Sequence, residues 1–139
     1  MKRFIVTAII DRKLDDASWY AHTDPRIVAV VAGVPFAADF DLDSLRTPGP
    51  RLALMSARED RWLNPTFHSE AVAAACISCE RLADLPHGGH GALLSPLPPE
   101  GAVSDLVRDP PGFDRELEVP KLNLAITRFF QRALLGDSQ

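Results

Sequence analysis

Apolar residues along the chain fall into short runs that predict three strands. Ile27–Val34 is continuous, apolar and rich in β-branched residues, as is typical of a strand buried on both faces of a parallel sheet. Arg51–Ser56 predicts a second buried strand, and Cys79–Leu85 predicts a shorter third strand nearer a sheet edge. Phe4–Ile10 fits either a strand or the start of a helix, and its β-branched content favours a strand.

Two helices are predicted between and after these strands. Pro65 begins a helix that runs to Ala75, with Asn64 or Thr66 near its cap. Between Pro120 and Leu135 apolar residues recur at three- and four-residue steps, which indicates an amphipathic helix. Strand, helix, strand, long loop and helix is the order of an α/β protein with about three to four mostly parallel strands. No linker divides residues 1–139, so a single domain is expected.

Composition narrows the class of protein. Hydrophobic residues make up 46% and charged residues 24%, which is ordinary for a globular domain, and the net charge is −4 with no basic run. No nucleic-acid partner is therefore expected. No apolar run reaches the about 18 residues of a membrane span, so no membrane partner is expected. The N-terminal apolar run is followed by charged residues instead of a small-residue cleavage site, so the default is a cytoplasmic protein.

Two side chains suggest chemistry. Asp60 follows the second predicted strand and His90 follows the third. Loops beyond the carboxyl ends of parallel strands lie at one edge of the sheet. A carboxylate that orients an imidazole there would make the imidazole a general base. The alternative is that Asp60 is only a turn or cap residue and that His90 is an ordinary surface or core polar group.

From about Thr23 onward the sequence resembles the carboxyl-terminal part of an α/β-hydrolase of the dienelactone-hydrolase-like branch. The resemblance covers roughly residues 23–139, leaves residues 1–22 as an atypical N-terminal segment, and keeps the family order of acid before histidine. The motifs that carry it are Asp24-Pro-Arg-Ile-Val-Ala-Val-Val, Arg51-Leu-Ala-Leu-Met followed by Asp60, Leu85-Pro-x-x-Gly-His90, and Pro110-Pro-Gly-Phe-Asp114.

The resemblance implies a partial α/β-hydrolase fold and a serine hydrolase acting on small ester-type substrates. Asp60 matches the acid of a Ser-His-Asp triad and His90 its histidine, with Glu59 as the alternative acid. No cofactor and no metal are expected. Trp62 and Leu63 beside Asp60 are expected to pack beneath the loop instead of lining a substrate pocket.

The sequence departs from the family at the nucleophile. The family places its serine on a Gly-x-Ser-x-Gly elbow upstream of the acid, but no glycine precedes Gly33, and Ser18 has no glycine beside it. Ser44 and Ser56 fall in later parts of the fold, and no cysteine precedes Asp60. We therefore expect the chain to be inactive alone unless another chain supplies the serine. An in-frame elbow encoded upstream of Met1 would indicate a misassigned start or a split gene.

The missing strands also predict an uncovered sheet edge at Ile27–Val34. Phe4–Ile10 could cover this edge, or two copies could pair there; an alternative function is a non-catalytic α/β interaction module that associates through it. Cys76-Ile-Ser-Cys79 has the C-x-x-C form, but without a second pair structural thiols are expected. His87 and His90 lack the further ligands that a metal site needs.

Overall fold

The computed structural model describes residues 5–7, 24–97, 99 and 104–136. These residues contain a three-stranded parallel sheet in the order β1 (Ala29–Gly33), β2 (Arg51–Ala57) and β3 (Glu80–Leu85). Two α-helices flank it, α1 (Ser69–Ala75) and α2 (Arg115–Leu135). The α/β class, the three strands and their parallel order are as the sequence predicts.

Short 3₁₀ helices make up part of the connections. Two of them, Ala37–Asp39 and Leu42–Arg46, join β1 to β2. A third, Pro65–Phe67, begins where Pro65 was expected to open a helix, and the Asn64 side chain accepts a hydrogen bond from the Thr66 amide at 3.0 Å. The backbone at His68 is not helical, so α1 starts only at Ser69. The prediction of one continuous helix from Pro65 to Ala75 is therefore wrong, because the helix is interrupted at His68.

Helix α2 begins five residues before the predicted start. The Asp114 carboxylate accepts a hydrogen bond from the Leu117 amide at 3.1 Å and caps the helix, which places Pro120 inside it. An aspartate cap satisfies an amide that has no partner within the helix, which favours a helix start at this residue. The helix continues through Pro120 although a proline nitrogen cannot donate a hydrogen bond. The predicted end is confirmed, because Gly136 has a φ of +81° at the C-terminus.

The core lies on both faces of β2. Met55 and Ala57 pack with Leu122 of α2 on one face, and Leu54 packs with Val72 of α1 on the other. Successive strand residues point to opposite faces, so a strand between two helices is apolar throughout. Burial on both faces is therefore confirmed for the second predicted strand.

Strand β1 is less buried than its sequence predicts. None of its residues is fully buried, and the two apolar residues before it, Ile27 and Val28, are 54% and 50% exposed. The Val28 carbonyl accepts from the Arg51 amide, and the Val34 amide donates to the Met55 carbonyl, both at 2.9 Å. In a parallel pair, alternate residues of a strand direct their backbone N–H and C=O groups at the partner strand. Here the even-numbered residues face β2, so the backbone groups of the odd-numbered residues of β1 point away from β2.

No strand in the described ranges pairs with those outward groups, so β1 is the free edge that the sequence predicts. Beside it lies an apolar groove of about 340 Å³, lined by β1, Met55, Leu93 and α2. Of the segment Phe4–Ile10, residues 5–7 are helical, which contradicts the preference for a strand at those positions. The rest of that segment and Ser18 lie outside the described residues.

Cys76 and Cys79 form a disulfide, so the prediction of free structural thiols is wrong. Helix α1 ends at Cys76, where the backbone becomes extended, and β3 starts at Glu80. The turn between them brings the two Cα atoms to 5.6 Å, within the range that a disulfide requires.

None of the helices in the described residues combines the length and the apolar character needed to cross a bilayer.

Candidate active site

The loop after β2 is tied to the loop after β3 by backbone hydrogen bonds. The Arg58 amide donates to the Leu85 carbonyl and the Glu59 amide to the Gly88 carbonyl, both at 2.9 Å. These bonds continue the β2–β3 pairing past the ends of the strands. They place the residue after Glu59, which is Asp60, opposite the turn that contains His90.

Asp60 is buried, with only 3% of its surface exposed. One carboxylate oxygen, Oδ1, accepts hydrogen bonds from the amides of Trp62 and Leu63, both at 2.8 Å. An aspartate that accepts from amides two and three residues ahead stabilises a tight turn. The same turn leaves the second oxygen, Oδ2, directed to His90.

His90 completes the pair. Its Nδ1 lies 2.9 Å from Asp60 Oδ2, and its side chain is 27% exposed. An ionised carboxylate only accepts hydrogen bonds, so Nδ1 carries the proton and Nε2 of the neutral ring is an acceptor. Within the described part of the chain Nε2 has no hydrogen-bond partner. The ring is therefore oriented by Asp60 and has one basic nitrogen available.

Glu59, the alternative acid, contacts a different histidine. Its Oε1 lies 3.0 Å from Nδ1 of His87, and both side chains are well exposed, 42% for Glu59 and 60% for His87. The structure thus pairs His90 with Asp60 and His87 with Glu59.

A cavity of about 550 Å³ opens beside His90. Residues of the β2 and β3 loops form one side of it, and a wall segment, residues 105–111, forms the other. Trp62 lines this cavity and is 61% exposed, which corrects the expectation that it packs beneath the loop. Leu63 does pack against the core, as expected. Clefts of this size accept small organic ligands.

Glycines allow the wall segment to lie directly on the His90 turn. A Cβ on Gly89 would lie 2.7 Å from Pro110 Cδ, and one on Gly91 would lie 2.3 Å from the Val107 carbonyl oxygen. The second distance is to backbone, which cannot move aside as a flexible side chain can. The glycines around His90 are therefore needed for this close approach.

Most charges around the cavity are paired. Glu59 contacts His87, Arg108 lies 3.3 Å from Asp105, and Asp109 is bound by Arg115. Arg61 also lines the cavity, and no described residue forms an ion pair with it. The unpaired charge at the rim is therefore positive.

Behind the Asp60 loop, four exposed or half-exposed charges form a network. Arg58 binds Asp84 and lies 3.4 Å from Glu70, and Arg81 binds Glu70 through two hydrogen bonds of 2.7 and 3.0 Å. The Arg81 hydrogen bonds hold the pKa of Glu70 below its usual range. The hydrogen bond to Asp84 raises the pKa of Arg58. The network ties β2, β3 and α1 together next to the site.

No described serine lies at the cavity. Ser44 Oγ donates to the Asp41 carbonyl at 2.6 Å on the surface, and Ser56 is 1% exposed inside β2. Neither residue lines the cavity that contains His90. No group of three or more His, Cys, Asp or Glu side chains that could hold a metal is found in the described ranges.

Sequence reasoning missed the ion pair between Asp109 and Arg115. These two residues flank the Pro110-Pro-Gly-Phe-Asp114 stretch that the resemblance already singled out, and that stretch was the available signal. The Asp109 carboxylate accepts two hydrogen bonds from the Arg115 guanidinium, at 2.8 and 2.6 Å.

No protein-family model, no curated protein and no solved structure matches this chain. The likeness to the dienelactone-hydrolase-like branch therefore rests on the motifs quoted from the sequence. A fold alone does not define an activity, so the function is inferred from the residues of the site.

Proposed function

We propose that this chain is a dienelactone-hydrolase-like polypeptide with a partial α/β-hydrolase fold, whose Asp60 and His90 are the acid and base of a triad for ester-type bonds. The observation that supports this most is the 2.9 Å contact of buried Asp60 with His90 Nδ1, at the carboxyl ends of two parallel strands and beside a cavity. Ligand sites in open parallel sheets lie at this edge.

The roles follow from the contact between the Asp60 carboxylate and His90 Nδ1. His90 Nε2 removes the proton from a hydroxyl nucleophile as it attacks the ester carbonyl, and Asp60 stabilises the resulting imidazolium. The imidazolium then returns the proton to the leaving alkoxide, and a second cycle with water releases the acid. The sequence contains no Gly-x-Ser-x-Gly elbow, and the described residues place no hydroxyl at His90. The proposal therefore takes the serine from another chain, without which this chain is inactive as a serine hydrolase.

The base can be tested without the native nucleophile. The chain is mixed with a p-nitrophenyl ester and trifluoroethanol as an added nucleophile, and transfer of the acyl group to the alcohol is followed. We expect about a tenfold acceleration over the His90→Gln variant, below the roughly 10²–10⁴ of a positioned base because the alcohol is not held in place. Asp60→Asn should lose most of this acceleration, since the ring is no longer oriented.

His87→Gln is the matched control, because it removes an imidazole three residues away that pairs with Glu59 instead. It should leave the acceleration unchanged. Equal losses in His87→Gln and His90→Gln would contradict the proposed role of His90. A serine-directed fluorophosphonate probe should label nothing in this chain; covalent labelling would disprove the absence of a nucleophile.

The exposed edge of β1 favours a second candidate, a non-catalytic module that associates through its sheet. Its apolar strand residues are only half-buried and its outward backbone groups are unpaired in the described ranges. Sedimentation at increasing concentration should then show association that Val31→Lys abolishes, since charged residues on edge strands prevent pairing. Ile77→Lys, at an exposed position off the sheet, is the control. A stable monomer at all concentrations would contradict self-association.

A further inference from the structure

Arg115, the first residue of α2, makes several hydrogen bonds next to the candidate site. Its guanidinium donates four hydrogen bonds: two to the Asp109 carboxylate, one to the Gly91 carbonyl at 2.9 Å and one to the Leu94 carbonyl at 2.5 Å. The side chain is only 21% exposed and lies 5.5 Å from the centre of the Phe113 ring. A guanidinium has five N–H donors in a rigid plane, and four of them are used here.

These bonds reach two separate segments. Gly91 directly follows His90, Leu94 ends the same turn, and Asp109 belongs to the wall segment of the cavity. Arg115 itself is the first residue of α2, which packs on the sheet. One side chain therefore fixes the His90 turn and the opposite wall of the cavity against the rigid body of the fold.

The backbone around His90 needs such a fixed point. Gly91 lies against the backbone of Val107, and Gly89 lies against the Pro110 ring, so the turn and the wall are in contact on both sides of His90. The turn contains no strand or helix beyond β3, and Asp60 holds only the imidazole ring. The Glu59 amide holds this backbone before His90, at the Gly88 carbonyl, and Arg115 holds it after His90, at the Gly91 and Leu94 carbonyls.

We propose that Arg115 is the positioning residue of the Asp60–His90 pair: by binding Gly91, Leu94 and Asp109 together, it sets the position of the His90 ring relative to Asp60 and the cavity wall. The assignment of His90 as a base rests on the proposed function, but the geometric effect of Arg115 does not. Lysine cannot replace this set of bonds, because an ammonium is not planar and cannot bind a carboxylate in a bidentate manner.

The test reads the hydrogen bond itself. The Nδ1–H proton of His90 is observed by NMR in the full chain, and its exchange rate with water is measured. In Arg115→Lys we expect this resonance to be lost or to exchange at least about tenfold faster, the factor expected when a hydrogen bond from a charged donor is lost. Arg132→Lys is the matched control: it is on the same helix, pairs with Glu80 away from His90, and should leave the resonance unchanged.

A second variant keeps the proposal falsifiable if Arg115→Lys does not fold. Asp109→Asn removes the ion pair but leaves the bonds from Arg115 to Gly91 and Leu94, so exchange should rise by less than in Arg115→Lys. If Arg115 only stabilises the fold, its replacement should lower the melting temperature and leave the exchange rate of the His90 Nδ1–H proton in the folded protein as in wild type. That result in Arg115→Lys, or in Asp109→Asn where Arg115→Lys is unfolded, would overturn the proposal.

The two proposals fail separately. An unchanged His90 resonance overturns the role of Arg115 and leaves the acyl-transfer test with trifluoroethanol as it was. A changed resonance in a protein that transfers no acyl group overturns the hydrolase function and leaves the positioning role in place.

Discussion

The two loops at the carboxyl ends of β2 and β3 contain two carboxylate–imidazole pairs that differ mainly in their surroundings. Asp60–His90 and Glu59–His87 have nearly equal contact distances, 2.9 and 3.0 Å. The Asp60 carboxylate is fully buried and also accepts two amide hydrogen bonds, whereas the Glu59 side chain is 42% exposed. Distance alone would not separate a candidate catalytic pair from a surface contact.

Burial and the additional hydrogen bonds separate the pairs. In water, two mobile side chains in contact gain little, because solvent screens the charges and the side chains lose conformational freedom. A buried carboxylate with fixed amide donors already has its orientation set, so its contact with an imidazole fixes the tautomer of the ring.

The largest expected effect is loss of the Asp60 carboxylate. Asp60→Ala leaves the Trp62 and Leu63 amides and the His90 ring without their acceptor, so the free energy of unfolding should fall by about 3–5 kcal/mol. Glu59→Ala removes a solvent-exposed partner and should change it by less than about 0.5 kcal/mol. Urea unfolding of both variants measures the difference; equal losses would mean that the two pairs are equivalent.

The next largest effect concerns the backbone beside His90, which supports the Asp60–His90 pair and not the Glu59–His87 pair. Gly91→Ala would place a Cβ 2.3 Å from the Val107 carbonyl oxygen, beside His90. Forcing these backbones apart should cost up to about 3 kcal/mol of unfolding free energy and disturb the His90 Nδ1–H resonance. Gly49→Ala is the control, since no atom lies within 4 Å of its Cβ position. Thermal unfolding that is alike in the two variants would show that the wall does not rest on the turn.

A smaller effect is expected for the coupling energy between the two side chains of each pair. Double-mutant cycles with Asn or Gln replacing the acid and Gln replacing the histidine should give a coupling of about 1.5–3 kcal/mol for Asp60–His90 and about 0.2–1 kcal/mol for Glu59–His87. Repeating the cycles in 1 M sodium chloride should weaken only the second coupling, because salt screens exposed charges more than buried ones. A salt-sensitive Asp60–His90 coupling would contradict its burial in solution.

The smallest expected effect comes from the charge network behind the Asp60 loop. It serves as a reference for the two carboxylate–imidazole pairs. Arg81 lowers the pKa of Glu70 in the folded protein, so this carboxylate contributes stability above its unfolded pKa and loses it as pH falls through the folded one. Glu70→Gln should therefore flatten the decline in unfolding free energy below about pH 5, by less than about 1 kcal/mol because the pair is partly exposed. Urea unfolding between pH 3 and 7 tests this; an unchanged slope would refute it.

Much of the fold could be predicted because its strands and helices depend on local patterns. The apolar runs locate β1, β2 and β3 to within about two residues, and the α2 stripe and Gly136 locate the last helix and its end. The start of α2 could not be predicted from Pro120, because the capping by Asp114 depends on geometry that residue spacing alone does not show. The exposure of β1 likewise depends on what lies beside it, which its own apolar sequence cannot reveal.

The site was predictable in part. Residue order after two strands was enough to single out Asp60 and His90, and the structure brings these two together. Residue order was not enough to choose between Asp60 and Glu59. The two side chains are adjacent in sequence but point in different directions, and the sequence does not show which of them points at His90. Arg115 is 25 residues from His90 in sequence, and its bonds to the His90 turn depend on long-range packing that no local pattern encodes.

The disulfide between Cys76 and Cys79 crosses a loop of only four residues. A cross-link this short removes little conformational entropy from the unfolded chain, about 2 kcal/mol in the loop-closure description. Reduction should therefore leave the protein folded, as unfolding curves with and without a thiol reductant would show. The bond joins the C-cap of α1 to the residue before β3, so it holds the two ends of the turn between these elements 5.6 Å apart at their Cα atoms.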